Sequence, residues 1–367
     1  MTNKTIMLLI LLLVTISETS RADGLQSHVT QWQIENAVQG VAVALYRNGQ
    51  IQEAISGHRT QAGELLEAGD TFSAASISKS FIAGAIMKLV DQKKLDLADS
   101  ASQLGGLDIP ADISIEQLLR HESGLPEYMG GALDFGYFLS QHAEGREAWS
   151  AEEIRSYAIA GDVESVPGFS YSNANYVVLG AVIETISGQR LDSALKTLIF
   201  DPLELASVSL TNSSSDNPDA MGHSATLVDI TGSAQLDARL TRELATAGNA
   251  AGGIVANAPD LARWGHQWFS GDFSPESAWG PPLGGQAFGL GAERISVGPG
   301  GFEVSYGRRS LRVHGGDGLG VSALLAHDPA TGSTIAILVN DDSIRSLGFG
   351  EPGYLDALAI DLLFRKQ

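Results

Sequence analysis

Strand-like stretches lie at the two ends of this chain and helical periodicity fills the space between them. Near the start, Val38 to Tyr46 and Ile51 to Gly57 flank Asn48-Gly49, a pair suited to the left-handed dihedrals of a tight hairpin turn. Near the end, Ser310 to His314, Val321 to His327 and Thr334 to Asn340 read as strands, the last two joined through Asp328-Pro329-Ala330-Thr331-Gly332. Strands this far apart in the chain share a sheet only if everything between them is an insertion. The pattern therefore predicts an α/β (α+β) architecture: one antiparallel sheet built from both chain ends, flanked by helices, with a mainly helical subdomain inserted.

The insertion reads as helices at Ile115 to Arg120, Ala151 to Ala160, Tyr176 to Ser187, Asp192 to Phe200 and Ala258 to Phe269, and a last helix runs from about Tyr354 to Arg365. Ser150 with Glu153 forms a capping box at the start of the second, and Gly188 terminates the third. Thr211 to Asp219 and Asp272 to Gly285 read as loops. The sheet part is expected at about 23–75 and 285–367, the helical part at about 76–284, the two making a single domain.

The longest amphipathic segment carries the chemistry. Ile77, Phe81, Ile82, Ala85, Ile86, Leu89 and Val90 recur at helical spacing, so Ser76 to about Asp91 is predicted as a buried helix with Ser76 in its first turn. Lys79 follows three residues later, on the same face and within side-chain reach. A serine hydroxyl attacks well only if a neighbour removes its proton, and a lysine can do so only if its pKa falls to roughly 7–8. The helix N-terminus contributes about 1 kcal/mol at most to that fall, so desolvation and neighbouring cations are expected to supply the rest. Ser-x-x-Lys alone is weak, since roughly half a match is expected by chance in a chain with this content of both residues, and Ser193-Ala194-Leu195-Lys196 is a second match read as that accident.

Downstream context separates the two. Tyr171-Ser172-Asn173 lies in a loop before a helix, and His314-Gly315-Gly316 ends a predicted strand. This ordered triplet resembles the serine β-lactamase and penicillin-binding-protein superfamily, and within it the class C branch. Leu118 to Pro126, Pro167 to Asn173, Ile199 to Leu203, Ala251-Gly252-Gly253 and Asp260 to Arg263 are similar to further segments of that family. The resemblance implies a β-lactamase/transpeptidase-like fold. It also implies that Ser76 is the acylated nucleophile, Lys79 its base or proton relay and Tyr171 a proton shuttle to the leaving group. Asn173 would orient the substrate amide and hold Lys79. Backbone N–H groups of Ser76 and Asp317 would form the oxyanion hole, with His314, Gly315 and Gly316 beside it.

One motif departs from the pattern. True class C enzymes resemble one another in having Lys-Thr-Gly, and here both the ammonium and the hydroxyl are missing. His314, if it binds a substrate carboxylate, would do so more strongly as pH falls through about 6.5. Arg308, Arg309 and Arg312 are candidates for the missing charge, Arg312 being on the same strand face as His314.

Other motifs carry less. Tyr46-Arg47-Asn48 occupies the hairpin turn, Gly348 to Gly353 fits a dinucleotide fingerprint with too little chain after it, and His121 is expected to order a turn. No Gly-x-Ser-x-Gly elbow, paired histidine spacing or cysteine occurs, so no metal and no cofactor are expected. The net charge of −20 makes nucleic acid and anionic membrane surfaces poor partners, and a small-molecule or short-peptide substrate is the expected one. Lys4, the apolar run Ile6 to Ile16 and Ser20-Arg21-Ala22 read as a cleaved secretory signal over residues 1–22, implying a periplasmic or secreted protein that meets the membrane only transiently.

The reading is thus an exported serine hydrolase with a Ser76 acyl-enzyme. D-alanyl-D-alanine carboxypeptidase or D-peptidase-like amide hydrolysis is expected first. A family VIII-like carboxylesterase, a class C-like β-lactamase or a non-enzymatic penicillin-binding receptor or scaffold are the alternatives.

Overall fold

The structure is a computed structural model that describes residues 24–163, 168–211, 217–227, 233–271, 282–283, 295–306, 308–347 and 354–364. The signal-like segment and the Gly348 to Gly353 fingerprint fall outside these residues.

Eight antiparallel strands form the main sheet in the order β2-β1-β11-β10-β9-β8-β7-β6. Here β1 is Gly40–Arg47, β2 Gln50–Gly57, β6 Pro282–Leu283, β7 Ile295–Gly298, β8 Gly301–Tyr306, β9 Arg309–Gly318, β10 Val321–Asp328 and β11 Ser333–Val339. The N-terminal hairpin pairs with the last strand of the chain, Val41 opposite Val339 and Leu45 opposite Ile335. Its turn places Asn48 at φ 52° and Gly49 at φ 77°, the left-handed pair anticipated for a hairpin. A second, small sheet joins β3 (Phe72–Ser73), β5 (Ile254–Ala256) and β4 (Ser209–Leu210) within the helical region.

Both faces of the main sheet are covered, and the strands show why. Val41, Val43, Leu45, Leu324, Ala326, Ile335, Ile337 and Val339 pack against Leu25, Val29, Leu355, Leu358 and Leu363 of the helices at residues 24–36 and Leu355–Phe364. The alternate residues Ala42, Ala44, Ala323, Leu325, Ala336 and Leu338 join the core of the helical part. Small side chains on this second face let the Ala258–Phe269 helix approach closely: a Cβ on Gly265 would lie 2.4 Å from Leu325 Cδ1.

Several boundaries differ from those expected. Ser76 sits in a 3-10 turn, Ala75–Ile77, and the α-helix begins only at Ser78 and runs to Asp91. Ser78 explains the displacement, because its Oγ donates to the Ala75 carbonyl at 2.6 Å and accepts from Ile254 N at 2.9 Å, tying the turn to β5. The helix after Tyr171-Ser172-Asn173 starts at Ala174, and Gly188 ends it at φ 67°. The Ser150/Glu153 capping box is present. Of the segment read as a loop at Asp272 to Gly285, the described pair Pro282–Leu283 is a strand. Strands β7 and β8 and the helices Phe135–Ala143 and Ala238–Gly248 carry no signal used above.

Candidate active site

Three parts of the chain meet at Ser76. The helix beginning at Ser78 brings Lys79 beneath it, the loop ahead of the Ala174–Ser187 helix brings Tyr171 and Asn173, and the end of β9 brings His314 to Asp317. Strand β8 pairs with β9 only from Tyr306 opposite Arg309 to Phe302 opposite Val313. Beyond Val313, β9 extends past its neighbour, so the His314–Gly318 edge is left to face the Ser76 turn. The approach is close: a Cβ on Gly316 would lie 2.4 Å from the Ala74 carbonyl oxygen and 3.3 Å from Ala75 Cβ. Only glycine fits there, and Ala75 itself is held at φ 44°, a strained dihedral for a residue with a Cβ. This contact brings the β9 backbone against the Ser76 turn, and Asp317 and Ser76 border one cavity.

Lys79 is wholly buried. Its Nζ lies 3.0 Å from Ser76 Oγ, 2.7 Å from Asn173 Oδ1 and 2.8 Å from the Ala251 carbonyl oxygen. A neutral amine has two N–H groups and one lone pair. Given to Asn173 and Ala251, the two N–H groups leave the lone pair for the Ser76 hydroxyl proton. Burial pushes the Lys79 pKa down from 10.5 to about 7, and the nearby Glu127 carboxylate opposes the fall. The cations expected to help are therefore replaced by desolvation acting alone, against an anion.

Tyr171 Oη donates to Ser76 Oγ at 3.2 Å. Burial raises its pKa above the ordinary value of 10, so at neutral pH it is a phenol and a donor, not a base. Of the two groups touching Ser76 Oγ, the lysine is the one whose pKa lets it take the proton near pH 7.

A second ring holds these groups in place. Asn173 N and Nδ2 both donate to Glu127 Oε2, at 2.8 and 3.0 Å, which turns the amide so that Oδ1 faces Lys79. Glu127 Oε1 accepts from Met129 N at 2.8 Å. Sequence reasoning missed Glu127. It directly follows Leu118 to Pro126, but no spacing rule links it to Asn173. His121 does more than order a turn: its ring stacks on Tyr171 at 4.3 Å between centroids and 24° between planes. Ser172 N and Asn175 Nδ2 both donate to His121 Nδ1 at 3.2 Å, so the ring proton is on Nε2. Burial, then Lys79, keeps His121 neutral, well below pKa 6.5.

His314 is buried, and its Nδ1 donates to the Gly315 carbonyl at 2.7 Å. Burial, with Lys79 second, pushes its pKa down to about 3. The expected strengthening of carboxylate binding through pH 6.5 is therefore corrected: this imidazole stays neutral across that range. Arg312 is corrected too. Its Nη1 donates to the Phe269 carbonyl at 2.8 Å and its Nε to Glu303 at 3.3 Å, so it braces β8 against the Ala258–Phe269 helix and does not grip substrate. Arg309 lies over the Phe364 ring, 4.3 Å from its centroid. Gly315 has its own reason: a Cβ there would lie 2.2 Å from Ser346 Oγ, so the serine hydroxyl fills the space that the middle residue of Lys-Thr-Gly would need.

The second Ser-x-x-Lys match lies elsewhere, with Lys196 paired to Asp201 at 2.5 Å on the surface. No group of three or more potential metal ligands occurs among the described residues. Ser76 and Asn173 open into a cavity of about 140 Å³ walled by Met129, Leu236, Leu244, Leu319 and Val321.

The sequence model of the beta-lactamase family matches residues 25–358, nearly the whole chain. The chain belongs to the beta-lactamase family. Among curated members, Penicillin-binding protein 4 of Amycolatopsis lactamdurans is 26% identical over 179 residues, 47% of this chain and 44% of its own length. Penicillin-binding protein 4* of Bacillus subtilis is 33% identical over 138 residues, covering 37% of this chain and 30% of that protein. This beta-lactamase family member thus spans less than half the length of these relatives. Its fold is shared with the D-amino acid amidase of Ochrobactrum anthropi SV3 in complex with D-phenylalanine, at TM-score 0.75 and 22% identity, over 94% of this chain and 98% of that one. It is shared equally with a D-stereospecific amidohydrolase from Streptomyces, at TM-score 0.75 and 19% identity, over 93% and 98%.

Proposed function

We propose that this protein is a serine hydrolase that cleaves small amide bonds of D-configured amino-acid derivatives through a Ser76 acyl-enzyme. The observation that carries the reading is the environment of Lys79: a buried amine with the Asn173 and Ala251 oxygens as acceptors and Ser76 Oγ 3.0 Å from its Nζ. Neutral Lys79 takes the Ser76 proton as Oγ attacks the carbonyl carbon, and the oxyanion is received by the backbone N–H groups of Ser76 and Asp317. Tyr171, a phenol already bonded to Ser76 Oγ, gives its proton to the leaving amine as the C–N bond breaks and takes a proton back from the Lys79 ammonium, which returns to the neutral amine. Water then attacks the ester with Lys79 again as base. Amide hydrolysis is favoured over β-lactam hydrolysis by the neutral His314-Gly315-Gly316 end of β9 and by the D-amidase and D-amidohydrolase neighbours. Export through residues 1–22 belongs to the same proposal and is tested by the N-terminal sequence of the protein recovered from cells.

A turnover panel tests the function: a D-amino-acid amide, a D-alanyl-D-alanine peptide, a short-chain nitrophenyl ester and a chromogenic cephalosporin, each with wild type and Ser76→Ala. The D-amide and the ester should turn over and Ser76→Ala should abolish both. Turnover of the cephalosporin alone, or residual turnover by the variant, would overturn the reading.

A further inference from the structure

We infer that the Asp317 side chain makes this site select against substrates carrying a negative charge next to the scissile bond. The inference rests on the reading of Ser76 as nucleophile and deepens it by naming the substrate class: neutral or cationic amides and esters, not carboxylate-terminated ones.

Asp317 borders the same cavity as Ser76 and Asn173, and it is exposed. Its carboxylate is fixed. Oδ1 accepts from Ser346 N at 2.9 Å and Oδ2 accepts from Ser346 Oγ at 2.6 Å, while the Ser322 hydroxyl beside Oδ1 gives its proton to the Ile344 carbonyl. Both donors are neutral, so they orient the charge without cancelling it. Ser346 is itself buried and its neighbours hold it: the Asp356 N–H donates to its carbonyl at 3.1 Å. A second carboxylate, Glu127, is held against Asn173, and its three hydrogen bonds also come from neutral N–H groups.

Among the described residues, no cation forms an ion pair with either carboxylate. Lys79 serves as a neutral amine, His314 is a neutral ring bonded to its own chain, and Arg312 is spent on Glu303 and Phe269. A substrate carboxylate entering the partly desolvated cleft that Asp317 borders meets repulsion that neither lysine nor histidine offsets. The backbone N–H of Asp317 is independent of its side chain, so one residue would both receive the oxyanion and reject an anionic substituent.

The test uses two matched pairs on the full protein. N-acetyl-D-alanyl-D-alaninamide and N-acetyl-D-alanyl-D-alanine share a scissile bond and differ only in the terminal charge. 4-Nitrophenyl butyrate and mono-4-nitrophenyl succinate have acyl chains of equal length and differ in the same way. In each pair that is cleaved, kcat/KM should favour the neutral member by roughly tenfold at low salt. The ratio should shrink towards one as ionic strength rises and should also shrink in Asp317→Asn, whatever the absolute rates of that variant.

A ratio of one or below in wild type, or a preference that neither salt nor Asp317→Asn reduces, would overturn the inference. So would a preference for the anionic member that disappears in Arg345→Ala, since that would make the exposed Arg345 a carboxylate-binding cation. Failure of the peptide pair with the ester pair still showing the ratio would refute the amide reading and leave the charge selection supported. Failure of all four substrates would refute Ser76 as the nucleophile of a hydrolase and the inference with it.

Discussion

Replacing Lys79 by methionine should abolish activity and, near neutral pH, make the protein more stable. The side chain is wholly buried and its pKa falls from 10.5 to about 7. That difference is 10.5 − 7 = 3.5. At about 1.4 kcal/mol for each tenfold change in proton affinity, it corresponds to a burial cost on the order of 5 kcal/mol. The folded state binds fewer protons than the unfolded one between these two values, so the wild-type protein gains stability as pH rises from about 7 to 10.5 and pays the full cost below about 7.

Methionine removes that cost and leaves the Asn173 and Ala251 oxygens without a donor, a loss of roughly 1–2 kcal/mol each. The variant should therefore be about 1–3 kcal/mol more stable at pH 6. Its advantage should close by roughly 3 kcal/mol between pH 7 and 9.5. Urea unfolding followed by the fluorescence of the five tryptophans measures the gap at each pH. A gap that does not change with pH would show that Lys79 keeps an ordinary pKa in the folded state, and the proposed base would be lost.

Other substitutions probe the surrounding groups. Ser76→Ala should reduce kcat/KM by at least about 10³-fold with the fold retained, as circular dichroism would confirm. Glu127→Gln removes the anion that raises the Lys79 pKa, so the rise of kcat/KM with pH should move to lower pH; an unmoved or raised midpoint would contradict the role of Glu127. Gly315→Thr forces a side chain onto Ser346 Oγ, at a cost of about 1–3 kcal/mol and a melting temperature lower by several degrees, and Ser346→Ala in the same background should restore part of the loss. Because His314 stays neutral down to about pH 3, His314→Gln should leave the shape of the pH dependence of substrate affinity between about pH 5.5 and 8 unchanged. Below pH 6.5 its reluctance to protonate should cost stability progressively until about pH 3, which acid unfolding of His314→Gln against wild type would detect.

The sheet was legible because Asn48-Gly49 dictates a hairpin and because β1, β10 and β11 are nearly continuous apolar runs bounded by turn residues. Strands β7 and β8 were not: Phe302, Val304 and Tyr306 do alternate with Glu303 and Ser305, but the runs are short, Gly298-Pro299-Gly300-Gly301 interrupts them, and their pairing depends on β9 as a template. The motifs carrying Ser76, Lys79, Tyr171, Asn173 and His314 could be read because the chemistry restricts residue type at each. What stayed hidden was set by tertiary contact. Glu127, the stacking of His121 on Tyr171 and the Ser346 hydroxyl over Gly315 join segments with no spacing relation. Arg312 illustrates the opposite failure. Its strand face was predicted, but Glu303 and the Phe269 carbonyl claim it before any substrate can.

The most direct test of the central claim is to trap the acyl group. Rapid acid quench of a nitrophenyl ester reaction, followed by intact mass and peptide mapping, should find one acyl group per chain, on the peptide containing Ser76. Its rate of formation should rise with pH to a plateau above about 7, where Lys79 is neutral. An acyl group on another residue, or acylation that persists in Ser76→Ala, would contradict the account.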